Sequence, residues 1–271
     1  MVEGNGGKHR MSQPKIGLSM LYALGDPFSK MAKQLSTAPS KLIEVVDDGY
    51  QNLNEKRVQI LKENAKNYDL KFSVHAPFAD INVASPSKTM LKASMKRLKQ
   101  SMNFANELNA YLWVFHPGAK SGISSFYPSA EWRQNLESIQ ELYKTAKDLN
   151  LEIAMENLPE KYNFIMKTPE DFERFYAESG LNKIGIVLDT GHAHLEGQIY
   201  TFIHQLPKKI AHIHISDNHG ITDEHLGLGY GTIDWKQFTN EIKAMGFSRT
   251  ILTESVFNVL ETVEKLKKLF T

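Results

Sequence analysis

The sequence has 271 residues, no cysteine, 23% charged residues and a formal net charge of +1. The lack of cysteine excludes disulfides and thiolate metal sites, so any metal ion must be bound by His, Asp or Glu. The near-neutral charge gives no support to nucleic-acid binding, which usually requires a basic domain. No apolar run approaches the roughly 18 residues needed to cross a bilayer, and the polar start MVEGNGGKHR is not a signal peptide. We expect a cytoplasmic protein in which residues 1–13 are a disordered or artificial extension.

Short β-branched runs alternate with longer amphipathic stretches along the rest of the chain. The predicted strands cover residues 15–20, 41–46, 70–75, 111–116, 151–156, 184–189, 210–215 and 250–254. The predicted helices cover residues 27–37, 54–68, 88–108, 129–149, 169–178, 198–206, 235–245 and 257–270. Thr168-Pro169-Glu170 is a helix start signal, because a capping hydroxyl precedes a proline in the first helical turn.

Eight strand–helix units follow one another without a linker or a low-complexity break. This order predicts an α/β fold, a single (β/α)8 TIM barrel formed by residues 14–271. The competing fold is an open doubly wound sheet, but the sequence has no glycine-rich loop typical of dinucleotide binding.

Metal-binding side chains recur at the ends of the predicted strands. In chain order they are His75, His116, Glu156, Asp189, His214 and Glu254. In a parallel barrel these ends open on one face, where catalytic groups collect. A single His or Asp at a strand end is more often a hydrogen-bonded cap, but six in successive units are not explained that way. Because three carboxylates buried together without a cation would cost several kcal/mol, the pattern predicts a divalent metal site.

Three further residues lie in loops on the same predicted face: His192 in DTGH, and Asp223 with His225 in DEH. They would either complete a further metal position or bind a substrate oxyanion, and the sequence leaves both alternatives open.

The remaining histidines are expected to be structural. His194, His212 and His219 are assigned supporting roles, and His204 is assigned to packing or to the surface. We expect His212 to face the helix layer, opposite His214. Trp113 and Phe115 are interpreted as core residues.

Seven segments carry a family resemblance: HAPFADINVASP at 75–86, HPG at 116–118, EN at 156–157, DTGH at 189–192, HIHISDN at 212–218, DEHLGLGYGTIDW at 223–235 and TES at 253–255. They resemble the xylose isomerase-like TIM barrel superfamily, which contains sugar isomerases and epimerases as well as endonuclease IV-like enzymes of abasic-site repair. The resemblance covers nearly the whole chain from residue 15.

The two branches of the superfamily imply different metal contents. The epimerase branch implies one catalytic metal at Glu156, Asp189, His214 and Glu254. The endonuclease branch implies up to three zinc ions, held by these four residues together with His75, His116, His192, Asp223 and His225. This sequence carries all nine.

Departures from the endonuclease pattern favour the sugar enzymes. The first strand ends in GLSM instead of a GAH-like motif, and ENLPEKYNFIMKTPEDF contains no glycine. The loop after the HAP motif reads Phe78-Ala79-Asp80, where endonucleases offer a tyrosine and apolar residues to DNA. We also expect Glu44, Asp47 and Asp48 to lie at the barrel mouth, where acids would repel a DNA backbone. Lysines 88, 92, 96 and 99 share a helix face, which is typical of a solvated surface.

The leading hypothesis is a divalent-metal-dependent sugar or sugar-phosphate isomerase or epimerase that uses Mn²⁺, Mg²⁺, Co²⁺ or Zn²⁺. Glu156 and Glu254 would be the catalytic residues, because epimerisation next to a carbonyl needs one group to remove a proton and another to return it. Three histidines and one aromatic residue would bind the substrate: His75, His116, His192 and Phe78.

Two alternatives remain open. The first is a zinc phosphodiesterase acting at abasic sites, in which case DNA would be the partner instead of a small sugar. The second is a metal-stabilised barrel without catalysis. The sequence does not decide the sugar, the carbon that reacts, the metal, or whether the chain forms homo-oligomers.

Overall fold

Eight parallel strands form a closed barrel in the computed structural model, which describes residues 13–159 and 162–270. The strands are β1 (Lys15–Ser19), β2 (Leu42–Val46), β3 (Lys71–His75), β4 (Trp113–Phe115), β5 (Ile153–Glu156), β6 (Gly185–Asp189), β7 (Ile210–Ile215) and β8 (Thr250–Thr253). Each strand pairs with the next in chain order, and β8 pairs with β1. The predicted single (β/α)8 barrel is therefore confirmed. The extension predicted for residues 1–13 lies, apart from Gln13, outside the described residues.

Nine α-helices occur in the described residues and connect the strands. They are α1 (Phe28–Gln34), α2 (Glu55–Tyr68), α3 (Lys88–Glu107), α4 (Ala130–Asp148), α5 (Pro169–Ser179), α6 (Thr190–His194), α7 (Ile199–Gln205), α8 (Trp235–Ala244) and α9 (Val259–Phe270). Eight correspond to predicted helices, and α6 is an additional short helix directly after β6. Thr168 and Asp171 form a capping box at the start of α5, as the start signal predicts. Within the described part of the chain, no helix is long and apolar enough to cross a membrane.

The main core lies between the strands and the surrounding helices. Trp113 and Phe115 alternate with Val114 along β4, so they face the helices; their rings stack with centroids 5.3 Å apart, and the Trp113 indole donates to Ser101 Oγ in α3. Both aromatic residues are fully buried, which agrees with their interpretation as core.

The inside of the barrel has an apolar layer and a polar layer. The apolar layer consists of Leu112, Val114, Ala154, Val187 and Ala211. The prediction that His212 faces the helices is wrong: residues two apart on a strand share a face, so His212 and His214 lie together inside the barrel, with ring centroids 5.2 Å apart. Both are fully buried, so strand β7 lines the polar layer with two imidazoles.

The prediction that three acids lie at the barrel mouth is wrong for Glu44, which is in the middle of β2; Asp47 and Asp48 directly follow the strand, but both are engaged by other groups. Glu44 is fully buried inside the barrel. Asp47 is fully buried as well, and its Oδ2 accepts a hydrogen bond from Arg97 Nη1 at 3.0 Å. Asp48 Oδ2 accepts from the backbone N–H groups of Phe78 and Ala79, both at 2.8 Å, and so fixes the loop after β3. Electrostatic repulsion by these three residues therefore no longer argues against DNA.

Candidate metal centre and active site

Six predicted residues meet at the C-terminal mouth of the barrel. His75, Glu156 and Asp189 end their strands, His214 is the last but one residue of β7, and His116 and Glu254 directly follow β4 and β8. The parallel register brings these positions to one level, for example by pairing Asp189 with His214. Five of the six are at most 4% exposed: His75, Glu156, Asp189, His214 and Glu254.

Four of these residues form the strand group: Glu156, Asp189, His214 and Glu254. Each contributes one ligand atom to a set in which all atoms lie within 4.8 Å of one another. His214 Nδ1 is 2.8 Å from Glu254 Oε2 and 3.6 Å from Glu156 Oε1. Asp189 Oδ2 is buried without a hydrogen-bond partner.

The strand group contains more carboxylates than its single imidazole can offset. Burial raises the pKa of Asp189 to about 7; His192 opposes the rise, and the charges of Glu156 and Glu254 add to it. Burial also acts to raise the pKa of Glu156, but the charge of His214 and hydrogen bonds from His116, His214 and His75 hold that pKa well below its usual value. A divalent cation would offset these clustered carboxylates and occupy the unpartnered Asp189 oxygen. Three carboxylates and one imidazole suit Mn²⁺, Mg²⁺, Co²⁺ or Zn²⁺.

Glu156 also contacts two further imidazoles. Its Oε2 lies 3.2 Å from His75 Nε2 and 3.4 Å from His116 Nε2. Burial acts to lower the pKa of His75, but its hydrogen bond with Glu156 and the charge of that carboxylate raise the pKa to about 9. Burial lowers the pKa of His116. The three residues form a second set with ligand atoms within 4.8 Å of one another.

A third set, the loop group, consists of His192, Asp223 and His225. Asp223 Oδ2 lies 3.2 Å from His192 Nε2 and 3.0 Å from His225 Nε2. His192 is carried by α6, whose start is capped because Asp189 Oδ1 accepts from the His192 backbone N–H at 2.7 Å. Gly191 is required in this turn: a Cβ atom there would lie 2.2 Å from Ser216 Oγ. The sequence predicted these residues on the catalytic face but did not predict α6.

The loop that carries Asp223 and His225 is anchored by Asp217, a residue to which the sequence assigned no role. The fully buried Asp217 carboxylate accepts hydrogen bonds from Gly229 N at 2.9 Å and from Trp235 Nε1 at 2.8 Å. Its backbone pairs with Leu226 through two hydrogen bonds of 2.9 Å. The loop is therefore folded back over the barrel.

A cavity of about 300 Å³ lies above the three sets. Phe78 contacts its histidines, with ring centroids 5.5 Å from His75 and 5.4 Å from His116. One wall is apolar and consists of Leu21, Phe78, Leu158, Pro159, Tyr162 and Phe164. No lysine or arginine is among the described residues that line the cavity.

Most of the apolar wall comes from the loop after β5, which sequence analysis did not identify. The loop is held against the loop after β4 by Ile165 N donating to Gly118 O at 3.0 Å and Lys120 N donating to Asn163 O at 2.6 Å. The aromatic residues of YNF at 162–164 were the available signal, but their spacing does not distinguish a pocket wall from an ordinary loop.

Comparisons with known proteins agree with this architecture. The chain is 28% identical over 259 residues to an uncharacterised protein of Methanocaldococcus jannaschii, covering 94% of this chain and 88% of that protein. It is 25% identical over 215 residues to a probable endonuclease 4 of Aquifex aeolicus, covering 73% and 75%. Among solved structures, a D-tagatose 3-epimerase-like protein superposes with a TM-score of 0.87 at 27% identity, covering 94% of this chain and 96% of that one.

The model of the xylose isomerase-like TIM barrel family matches residues 33–269, which include Phe78 and all nine candidate metal ligands. Both enzyme classes considered from the sequence occur among the similar proteins. The chain belongs to the xylose isomerase-like TIM barrel family.

Proposed function

We propose that the protein is a divalent-metal-dependent epimerase or isomerase of a small sugar, acting by proton transfer at a carbon next to a carbonyl. The observation that carries the proposal is the position of Glu156 and Glu254. Both belong to the strand group, and both also line the cavity of about 300 Å³. They come from β5 and from the end of β8, so they approach the cavity from different directions.

The chemistry follows from this placement. A cation held by the strand group would polarise the substrate carbonyl and so acidify the neighbouring C–H bond. One of the two carboxylates would remove that proton, and the other would return a proton to the opposite face of the carbon. The low pKa of Glu156 keeps it ionised at neutral pH, as a metal ligand has to be. His75, His116 and His192 would bind substrate oxygens.

The cavity supports a small substrate. Its volume of about 300 Å³ is at the lower end of the range for small-molecule sites, roughly 300–1,000 Å³. The apolar side chains that line the cavity suit the C–H face of a sugar.

A phosphodiesterase acting at abasic sites in DNA is the second candidate, and one observation favours it. The His75–His116–Glu156 set and the loop group flank the strand group, so the chain offers ligands for three metal ions. The cavity argues against it, because a bent duplex would need an open, basic groove around Phe78, Lys120 and residues 223–231.

The deciding experiment uses purified protein loaded separately with Mn²⁺, Co²⁺, Mg²⁺ or Zn²⁺. Ketoses and ketose phosphates are incubated with it separately in D₂O, and deuterium at the carbon next to the carbonyl is followed by NMR. We expect metal-dependent deuterium incorporation together with a second, epimeric sugar. In parallel, a duplex with one abasic site is tested for incision. Incision that a chelator abolishes, without any sugar exchange, would replace the first proposal by the second.

A further inference from the structure

Beneath the strand group, the barrel contains a carboxylate that neither the metal set nor the proposed reaction uses. Glu44 projects from β2 into the barrel and is fully buried. Its Oε2 accepts a hydrogen bond from Ser73 Oγ at 3.0 Å. A buried carboxylate is costly unless it is paired, so its other oxygen requires a partner.

That partner is His214, the only imidazole of the strand group. His214 Nε2 lies 3.2 Å from Glu44 Oε1, while Nδ1 lies 2.8 Å from Glu254 Oε2. One ring nitrogen therefore faces Glu44 and the other faces the carboxylates of the candidate metal site. Among the described residues, neither Nε2 of His214 nor Oε1 of Glu44 forms a hydrogen bond of regular geometry, so their 3.2 Å approach is a buried ion-pair contact in which each atom is still available to the other.

We propose that Glu44 is a positioning residue that holds the Nε2–H tautomer of His214 and so presents Nδ1, with its lone pair, to the metal ion. A histidine bound to a metal through one nitrogen commonly donates its other N–H to a carboxylate, which fixes the tautomer and makes the imidazole a stronger ligand. Ser73 orients the Glu44 carboxylate from the neighbouring strand. The inference rests on the metal site of the proposed function but not on the reaction, so it can be tested without a substrate.

A different role for Glu44 has to be distinguished. Glu44, His212 and His214 also have ligand atoms within 4.8 Å of one another, which is the arrangement of a separate metal site. The two dications would then share the His214 ring, one on each nitrogen, in a place closed to solvent. The positioning role instead predicts that Glu44 changes the affinity of the metal without changing the number of bound ions.

The test compares two isosteric variants of buried carboxylates, Glu44→Gln and Asp47→Asn. Asp47 is the matched control: it is equally buried and three residues along the chain, but it pairs with Arg97 outside the metal site. Zn²⁺ affinity is measured by competition with a chromophoric chelator, and bound zinc is counted by elemental analysis. The ¹⁵N shifts of the His214 ring in the zinc-loaded protein report its tautomer.

We expect Glu44→Gln to bind zinc roughly 10–100-fold more weakly, the usual effect of removing an outer partner of a metal-bound histidine, with unchanged stoichiometry and an altered His214 ring spectrum. Asp47→Asn should lose stability but keep the parent affinity and spectrum. Equal zinc affinity in Glu44→Gln and Asp47→Asn would overturn the proposal, and so would the loss of one whole equivalent of zinc in Glu44→Gln alone.

If Glu44→Gln does not fold, Ser73→Ala replaces it, because this variant keeps the charge of Glu44 and removes only the hydroxyl that orients it. Weaker zinc binding then supports the proposal, and parent affinity refutes it. A failure of the proposed sugar chemistry would leave these zinc measurements unaffected, so the two ideas fail separately.

Discussion

The strand group and the loop group are built from the same kinds of side chain but balance their charges differently. The strand group combines three carboxylates with one imidazole, all at most 3% exposed. The loop group combines one carboxylate with two imidazoles, and Asp223 contacts both of them directly. Burial acts to lower the pKa of His225, but its hydrogen bond with Asp223 raises that pKa to about 9. Protons on its two histidines therefore more than offset the single carboxylate of the loop group, whereas the strand group has one imidazole, His214, for three carboxylates.

This difference in charge balance indicates that the strand group, and not the loop group, depends on a metal ion. Protonated imidazoles do for the loop group what a cation would do for the strand group, and the side chains of Asp223 and His225 remain 14% and 22% exposed. The loop group is thus free to bind substrate oxygens, as the epimerase proposal requires. Under the endonuclease alternative, the histidines of the loop group would have to lose their protons and bind a second or third metal ion. Experiments that treat the two groups separately therefore distinguish the two functions.

The largest expected effect is on catalysis by Glu254→Gln. This substitution keeps the volume and one oxygen ligand but removes the charge and most of the basicity. Loss of a positioned base typically costs about 10²–10⁴-fold in rate, and metal binding should weaken as well. Asp223→Asn, the corresponding change in the loop group, should cost at most about tenfold, the size of one hydrogen bond, because it alters one substrate contact. The measurement is the rate of solvent-deuterium exchange into the substrate. Exchange at the parent rate in Glu254→Gln would show that the base is elsewhere.

The second effect is on stability when the metal binds. A ligand that binds only the folded state at about one hundred times its Kd adds about 2.7 kcal/mol to the free energy of unfolding. We expect this increase with one metal ion per chain, and we expect Asp189→Asn to abolish it. Asp223→Asn should leave it intact. Thermal melts with and without a chelator, combined with elemental analysis, provide the comparison. Loss of a bound zinc in Asp223→Asn would favour the multinuclear endonuclease arrangement.

The positions of the strand group could be predicted from the sequence, because strand periodicity and barrel topology together determine where a strand ends. A residue that closes a β-branched run in a parallel barrel has to lie at the mouth, whatever its neighbours. Asp189 and Glu156 are examples, since each is the last residue of its strand. For the loop group, the sequence predicted only that three candidate residues lie on the catalytic face of the barrel. Residues in loops have no regular alternation of side-chain direction from which more could be predicted.

Three other features of the structure were either not predictable from the sequence or were predicted wrongly. The orientation of His212 could have been predicted, because side chains two residues apart on a strand point to the same side, which places His212 beside His214. The burial of Glu44 was harder to predict, because a charged residue inside a barrel runs against the usual hydrophobic pattern. The apolar wall from Leu158 to Phe164 depends on backbone pairing between two loops, a long-range contact without a local sequence signal.

A smaller effect is expected at the anchor of the loop group. Asp217→Asn replaces an acceptor that serves Gly229 N and Trp235 Nε1, and leaving buried donors poorly paired costs about 1–3 kcal/mol. Asp234→Asn in the same segment is the control, because Asn caps a helix about as well as Asp. Hydrogen exchange should accelerate in residues 217–235 of Asp217→Asn alone, with unchanged zinc affinity at the strand group. A parallel loss of zinc affinity would mean that the two groups are coupled.

The last effect is a pH dependence of the metal-free protein, which is measured as a change in Tm. The pKa of His75 is raised from 6.5 to about 9 in the folded chain, so the folded state holds this proton more tightly than the unfolded chain does. Its contribution to stability is complete below pH 6.5 and is lost as the pH rises through about 9. Asp189 acts in the same direction at lower pH: its pKa is raised from 3.8 to about 7, so its ionisation destabilises the folded state over that range.

Thermal melts in chelator should therefore show Tm falling as the pH rises from neutral. Saturating metal should make Tm less dependent on pH, because a bound cation offsets the charge of the carboxylates and repels the protons on nearby imidazoles. Zinc affinity should rise over the same pH range, since binding then displaces fewer protons. A metal-free protein that became more stable from pH 6.5 to 9 would contradict the charge balance described for the two groups.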